Sequence, residues 1–276
     1  MTPGSRPFEA ARTTLNGNRA CNQDRCLVLA DGDCILLAVA DGLGGHPRGE
    51  IAAQLLVDVC EALFRRAARP LADPQQFLLS CVGKAHQAIR RYGARQDPPI
   101  QPRTTAVLAL VQNGVAHWAH VGDSRLYLLR DGQVLAQTRD HVQVRFVRHS
   151  GDGPSRALAR LTRCLGGLPL PPLTTCAPPT PLRQGDTLVL CSDGLWGQVP
   201  SAMLLDAFSR IRQPLDQCLE GLALEAVEAD NSDNVTAVAL RWLGDPDASG
   251  TAADRPGAAA SERAPAGAQP GESIQT

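Results

Sequence analysis

Four aspartates in this 276-residue chain stand where an apolar run meets a turn: Asp41, Asp123, Asp193 and Asp233. The first three come directly or almost directly after an apolar, strand-like run, and Asp233 comes just before one. Taken singly, an Asp beside Gly or Asn at the end of a strand is most simply a turn. A chemical site follows only if the ends of these strands converge in the folded chain.

Converging carboxylates would need a counter-charge. Two unit charges about 4 Å apart repel by about 4 kcal/mol at an effective dielectric of about 20. Such a cluster persists only if it is protonated or binds cations. Oxygen-only ligands, with no His or Cys at metal-ligand spacing, favour Mg²⁺ or Mn²⁺ over zinc. Together the aspartates therefore predict a divalent-metal site.

Apolar periodicity and turn dipeptides predict the elements that must position these aspartates. Residues 1–14 are expected to form an irregular entry strand, and an Asp-Gly hairpin joins two strands within 26–40. The further predicted strands are 104–111, 115–121, 126–130, 133–137, 186–191 and 235–242. The predicted helices are 49–69, 74–92, 200–211 and 214–228. Residues 141–163 are basic and weakly patterned, and we predict a helix there; 167–181 are predicted to be an extended, Pro-rich loop.

The order of these elements predicts an α+β fold rather than a strict βαβ alternation. Consecutive hairpins imply antiparallel sheets, and runs such as 35–40 are apolar throughout, as expected for strands buried on both faces. We therefore predict an antiparallel β-sandwich flanked by helices on both faces, a four-layer αββα arrangement. The domain is expected to span 1–243, and the Ala/Gly/Pro-rich segment 244–276 to be a disordered tail.

Bulk composition excludes several classes of protein. The formal net charge of −1 gives no electrostatic footprint for nucleic acid or an anionic membrane. No run reaches about 18 apolar residues, so no membrane insertion is expected, and residues 1–11 lack the apolar run of a signal peptide. Nine cysteines without a C-x-x-C pair indicate buried thiols in a reducing compartment. We expect a cytoplasmic monomer.

Several blocks, in order from about residue 11 to residue 242, resemble the metal-dependent protein phosphatases of type 2C (the PPM family) in their bacterial form. The matching blocks are 17–19, 22–25, 40–46, 104–105, 120–125, 138–141, 161–163, 190–195 and 233–236. The resemblance implies a phosphatase that hydrolyses phosphoserine and phosphothreonine in proteins and needs two Mg²⁺ or Mn²⁺ ions, with a weaker third. Short motifs around Cys164 and Trp196 are similar to those of phosphatases tied to bacterial type VI secretion.

The resemblance also implies roles for individual residues. Among the metal ligands, Asp41 is implied to bridge both metals, the Gly42 carbonyl to bind one metal, and Asp193 and Asp233 to bind the other. Asp24 is implied to hold a metal-bound water, and Asp123 to form part of the third metal site. Arg19 is implied to bind the substrate phosphate. The ions would lower the pKa of a bridging water, which attacks phosphorus in line without a covalent enzyme intermediate.

The chain departs from the family pattern at four places. Gln23 replaces a common Glu, Leu43 stands where eukaryotic members have a candidate acid, and Arg103 replaces a Gly. The segment 142–159 is short and contains Arg145, Arg148 and Arg156, with Arg160 next to it. It is either a solvated basic helix or a rim that selects phosphopeptides. His46 and His141 are expected to hold turns rather than metals.

The resemblance implies phosphorylated proteins as partners, among them a Ser/Thr kinase that the chain opposes and a forkhead-associated scaffold. Two alternatives stay open at this stage. One is a catalytically inactive phosphoprotein-binding module of the same fold, although none of the acidic ligand positions is lost. The other is a metal-dependent hydrolase of a different phosphoester.

Overall fold

The computed structural model describes residues 7–147, 156–168, 174–209 and 213–244. The strands are β1 (Phe8–Leu15), β2 (Arg25–Asp31), β3 (Cys34–Ala40), β4 (Ala106–Gln112), β5 (Val115–Val121), β6 (Arg125–Arg130), β7 (Gln133–Gln137), β8 (Val142–Val147), β9 (Arg156–Leu161), β10 (Thr175–Cys176), β11 (Thr180–Pro181), β12 (Thr187–Cys191) and β13 (Val235–Trp242). The helices are α1 (Gly49–Arg66), α2 (Pro74–Ala94), α3 (Asp193–Trp196), α4 (Ser201–Ser209) and α5 (Leu215–Val227).

Two antiparallel sheets form the centre of the fold. One has the strand order β1-β13-β12-β6-β7, and the other has the order β10-β5-β4-β3-β2, with β11 also paired to β5. Strand β1 pairs with β13 along its full length, from Phe8 opposite Trp242 to Leu15 opposite Val235. The first and last strands of the described chain are therefore neighbours, which brings their flanking loops together at one end of the sheet.

Alternation along the buried strands explains why they are apolar throughout. In β3, Ile35, Leu37 and Val39 point into a cluster shared with the facing sheet. Leu36 and Ala38 point the other way and pack against α1 and α2. On the far side, α4 and α5 cover the sheet that contains β12 and β13. The four layers are therefore helix, sheet, sheet and helix, as the sequence predicts.

The structure corrects one predicted element and adds others. Residues 142–147 and 156–161 pair as two antiparallel strands, β8 and β9, which we call the β8–β9 hairpin, and they do not form a helix. Its first strand alternates apolar and polar residues in Val-Gln-Val-Arg-Phe, which is the period of a strand, and the three apolar positions carry the β-branched or aromatic residues that strands favour. The Pro-rich loop contains the short strands β10 and β11, and α3 is an additional one-turn helix after β12.

Other predictions differ only at their boundaries or fall outside the described part of the chain. Helix α1 ends at Arg66 rather than 69 because Ala67 is extended, and α2 continues to Ala94. The tail predicted at 244–276 lies outside the described residues from 245 onward, as does Arg148. Within the described ranges, no helix is long and apolar enough to cross a bilayer.

Candidate metal centre

Five aspartates reach the same end of the sandwich from separate strands. Asp24 directly precedes β2, Asp41 directly follows β3, Asp123 follows β5, Asp193 opens α3 after β12, and Asp233 precedes β13. Three of these strands belong to one sheet and two to the other. The site therefore exists only because the two sheets pack face to face with these ends aligned.

The backbone at Asp41 is held rigidly by two threonines. The Asp41 N–H donates to Thr105 Oγ1 at 3.0 Å, and its carbonyl accepts from Thr104 Oγ1 and from the Thr105 N–H, each at 2.8 Å. A Cβ at Gly42 would lie 2.5 Å from the Gly49 carbonyl group and 2.6 Å from the Gln23 carbonyl oxygen. Only glycine fits there, because the turn packs directly against the backbone of Gln23 and Gly49.

Asp24 lies beneath the site and is 3% exposed. Its Oδ2 accepts from Ser192 Oγ at 2.7 Å, and Ser192 in turn accepts from the Thr236 N–H at 3.0 Å. Burial raises the pKa of Asp24 from 3.8 to about 7, and the negative charge of Asp193 adds to the effect, while the hydrogen bond from Ser192 opposes it. A carboxylate held in this way favours a nearby positive charge.

The same electrostatic pattern recurs across the cluster. Burial raises the pKa of Asp41 well above its ordinary range, and the charges of Asp24 and Asp193 raise it further. Burial, and then the charge of Asp233, raises the pKa of Asp193. Burial and the charge of Asp193 raise the pKa of Asp123 to about 6. Each shift has the sign that a bound cation would reverse.

Among the described residues that line the cleft, Arg19 is the one basic residue, and it contacts the aspartate cluster. Its Nη2 lies 2.6 Å from Asp233 Oδ2, and the two side chains are 56% and 40% exposed. The other oxygen of Asp233 accepts from the Asn234 N–H at 2.8 Å. Arg19 therefore sits at the solvent-facing rim, where an incoming anion could reach its guanidinium.

An open cleft of about 520 Å³ connects most of the predicted site residues. Arg19, Asp41, Gly42, Asp193 and Asp233 all line it. Asp24 lies below the surface of the cleft, and Asp123 lies beside the cleft. The site residues predicted from the sequence are therefore close together, but two of them do not line the cleft. The cleft is polar and open, as expected for a site that takes a side chain of a larger substrate.

The carboxylate set fits Mg²⁺ or Mn²⁺ by charge and by ligand type, since its donors are carboxylate and backbone oxygens. Within the described ranges, no three Asp, Glu, His or Cys side chains are already arranged as ligands of one ion. Their positions are set instead by contacts within the protein, above all Arg19 with Asp233 and Ser192 with Asp24. An ion would therefore compete with Arg19 for an oxygen of Asp233.

Supporting residues outside the predicted set stabilise the site. Asn234 joins the loop that carries Arg19 to β13: its Oδ1 accepts from the Gln23 N–H at 2.9 Å, and its Nδ2 donates to the carbonyls of Asn16 and Cys21. Ser192 and Thr105 act in the same way on other elements. The sequence signal for all three was their position beside or within the motif blocks, but their partners are distant in the chain.

The turn at Asp123 is held by an aromatic residue from another element. The Trp196 indole N–H donates to the Asp123 carbonyl at 3.0 Å, and the Arg125 guanidinium stacks 3.5 Å from the centre of the Trp196 ring. Arg125 also forms a bidentate pair with Asp140 at 2.9 and 2.7 Å. This network connects α3, the Asp123 turn and the base of the β8–β9 hairpin.

His141 has the structural role predicted for it. Its Nδ1 accepts from the Gly122 N–H at 3.0 Å, its ring stacks on His120 with centroids 4.5 Å apart, and its Nε2 lies 2.9 Å from Thr175 Oγ1. Burial lowers the pKa of His141 to about 4, which keeps the ring neutral and able to accept from Gly122. The residue anchors the base of the β8–β9 hairpin rather than lining the cleft.

A sequence profile of the family described as Protein phosphatase 2C matches residues 15–229, most of the described chain. The chain belongs to the protein phosphatase 2C family. It is 32% identical over 243 residues to the serine/threonine protein phosphatase PstP of Mycobacterium tuberculosis, a match that covers 83% of this chain and 45% of that protein. The chain thus spans less than half the length of that relative.

Solved structures of family members share the fold. The catalytic domain of PstP in complex with two manganese ions superposes with a TM-score of 0.66 at 30% identity, covering 85% of this chain and 97% of that one. PppA of Pseudomonas aeruginosa, described as a key regulatory component of the type VI secretion system, gives a TM-score of 0.64 at 26% identity, covering 85% and 97%. These likenesses confirm the predicted α+β sandwich.

Proposed function

We propose that this chain is a protein phosphatase that hydrolyses phosphoserine and phosphothreonine in proteins and requires Mg²⁺ or Mn²⁺. The observation that carries the proposal is the meeting of five carboxylates from both sheets in and around one open cleft with a single exposed arginine at its rim. The manganese ions of the related PstP domain support a two-metal centre here as well.

When bound, two divalent ions would act as Lewis acids that activate water and offset charge on the phosphoryl oxygens. Asp41 is proposed to bridge them, the Gly42 carbonyl to bind one, and Asp193 and Asp233 to bind the other. Asp24, buried and anchored by Ser192, is proposed to orient water within the centre. Asp123 is proposed to contribute to a third, weaker site.

Arg19 is proposed to bind the substrate phosphate. Its guanidinium is exposed at the rim and now donates to Asp233, so a phosphate can replace that carboxylate as its partner. The planar guanidinium suits two phosphate oxygens at once, which positions the phosphorus above the carboxylate cluster. Leu43 lines the cleft and no described histidine does, so no histidine in the described ranges is placed there to protonate the leaving alkoxide.

The biological setting is a separate proposal. We propose that the substrates are proteins phosphorylated by a bacterial Ser/Thr kinase, and that a forkhead-associated scaffold is among the partners. The structural likeness to PppA supports a link with type VI secretion. All nine cysteines are free thiols in the structure, which supports a reducing, cytoplasmic compartment.

The decisive test is phosphate release from a phosphothreonine peptide, measured with EDTA, Mg²⁺ or Mn²⁺, for the wild type and for Asp41→Asn. We expect release that depends on the metal and falls by at least about a hundredfold in the variant, because Asp41 is the proposed bridging ligand. Asp58→Asn is the matched control, since Asp58 is an exposed acid on α1 outside the cleft.

A second readout separates metal binding from turnover. Mn²⁺ should raise the melting temperature of the wild type and of Asp58→Asn, and should do so much less for Asp41→Asn. Metal binding without any release of phosphate would favour the inactive phosphoprotein-binding module. Release from small phosphoesters but not from phosphopeptides would favour the other class of hydrolase.

A further inference from the structure

A second groove runs beside the candidate metal centre. It has a volume of about 500 Å³ and lies between the C-terminal end of α2, the loop 95–103 and the segment from β9 to residue 168. Three arginines line it, Arg90, Arg103 and Arg160, and no described acidic residue does. In a chain whose net charge is −1, this is a local concentration of positive charge.

None of the three arginines forms an ion pair with an acidic residue in the described part of the chain. Arg90 Nη1 donates to the Gly167 carbonyl at 3.5 Å, and Arg103 Nη2 donates to Gln101 Oε1 at 3.1 Å. Arg103 Nε is buried and has no hydrogen-bond partner among the described residues. The groove therefore holds guanidinium groups that no acidic side chain in the described ranges contacts directly.

The walls of the groove are closely fitted. Gly166 has φ of +84°, and a Cβ there would overlap the carbonyl of Pro102. A Cβ at Gly167 would meet the Arg103 guanidinium at 3.6 Å and Cys164 Sγ at 3.3 Å. Arg103 thus lies beside a residue without a side chain.

The groove and the metal-binding turn share one stretch of backbone. The Leu43 N–H, directly after Gly42, donates to the Arg103 carbonyl at 3.0 Å. The next residue, Thr104, forms bridges with both Gly42 and Leu165. An extended peptide advances about 3.3 Å per residue, so a segment bound at the metal centre could reach the groove within about two to five residues.

We propose that this groove binds a second anionic side chain of the substrate, best a phosphoserine or phosphothreonine that lies a few residues from the one at the metal centre. The inference rests on the proposed function and deepens it, since it makes multiply phosphorylated segments the favoured substrates. Guanidinium groups bind phosphate oxygens in a bidentate manner, and a phosphate carries nearly two charges where a carboxylate carries one.

The test compares matched peptides. Each contains one phosphothreonine and, about two to five residues away on either side, serine, glutamate or phosphoserine. For the wild type we expect the second phosphate at the best spacing to lower KM about five- to tenfold, and glutamate to lower it less. In the double variant Arg90→Gln/Arg160→Gln, the advantage should fall to about twofold or less, with hydrolysis of the singly phosphorylated peptide unchanged.

Arg91→Gln is the matched control because Arg91 is exposed on the same helix but does not line the groove. It should retain the full advantage. Equal KM values for singly and doubly phosphorylated peptides in the wild type would overturn the proposal, as would an advantage that survives in the double variant.

The singly phosphorylated peptide reports separately on the proposed function. If no peptide is hydrolysed with any metal, that function fails, and the groove is tested by fluorescence anisotropy with the labelled doubly phosphorylated peptide. Weaker binding to Arg90→Gln/Arg160→Gln than to Arg91→Gln would still support the groove. Equal binding to the two variants would refute it.

Discussion

Asp24→Asn should stabilise the metal-free protein at alkaline pH while abolishing its activity. Asp24 is buried, and burial raises the pKa of its carboxyl group from 3.8 to about 7. The folded state therefore holds a proton that the unfolded chain releases at lower pH. Between pH 4 and 7 the folded state binds more protons than the unfolded state, so stability falls as the pH rises through that window.

The magnitude follows from the same two pKa values. The difference between 3.8 and about 7, at 1.36 kcal/mol for each pKa unit, corresponds to about 4 kcal/mol of lost stability above pH 7. Asparagine keeps an oxygen that can accept from Ser192 Oγ but carries no charge. At pH 8 we therefore expect Asp24→Asn to be more stable than the wild type by up to about 4 kcal/mol, and at pH 5 by much less.

The assay is urea unfolding in EDTA at pH 5 and pH 8, because a bound cation would stabilise the ionised carboxylates and mask the effect. Asp186→Asn is the matched control: Asp186 is 2% exposed but forms a bidentate pair with Arg130, at 2.8 and 2.6 Å. That change should destabilise the protein at both pH values by about 3 kcal/mol. A wild-type stability that does not fall between pH 5 and pH 8, with no gain from Asp24→Asn, would refute the electrostatic account of the site.

Two further substitutions test the packing and the rim of the cleft. A side chain at Gly194 would overlap the Asn234 carbonyl, so Gly194→Ala should lower the free energy of unfolding by about 2 kcal/mol or more. Gly221 on α5 faces open space, so Gly221→Ala should raise the free energy of unfolding by about 0.5–1 kcal/mol. Urea unfolding measures both, and similar values for the two variants would contradict the close approach at Gly194. Arg19→Ala should raise KM for a phosphopeptide about tenfold, which is more than it lowers kcat. The free energy of unfolding should change little, because the ion pair of Arg19 with Asp233 is exposed. A larger effect on kcat than on KM would assign Arg19 mainly to the transition state.

The separation of charge over the surface suggests how the two sites could act together. The carboxylate cleft needs cations before it can accept a phosphate, whereas the arginine groove carries its positive charge permanently. Because guanidinium groups stay charged, the groove could attract a multiply phosphorylated segment over the whole pH range in which this protein is folded. The hydrogen bond from the Leu43 N–H to the Arg103 carbonyl joins the backbone of the two sites.

Local pattern was sufficient to determine most of the fold. Strands β5, β7 and β13 have the predicted boundaries, because hairpin dipeptides and apolar runs are properties of short stretches of chain. The hairpin β8–β9 was predicted as a helix because its many arginines obscured a period of two. Strands β8 and β9 are separated in the chain, and their pairing cannot be read from the sequence of either strand alone.

The sequence also determined which residue types could form a metal site, because aspartates at strand ends are recognisable one by one and their order resembles a family. Only the tertiary structure decided that Asp24 lies beneath the cleft on Ser192, that Arg19 contacts Asp233, and that Arg103 lines a separate groove. These contacts join residues up to 214 positions apart. These contacts depend on how the two sheets pack against each other. The aspartates become buried, and their pKa values rise, only when that packing excludes water.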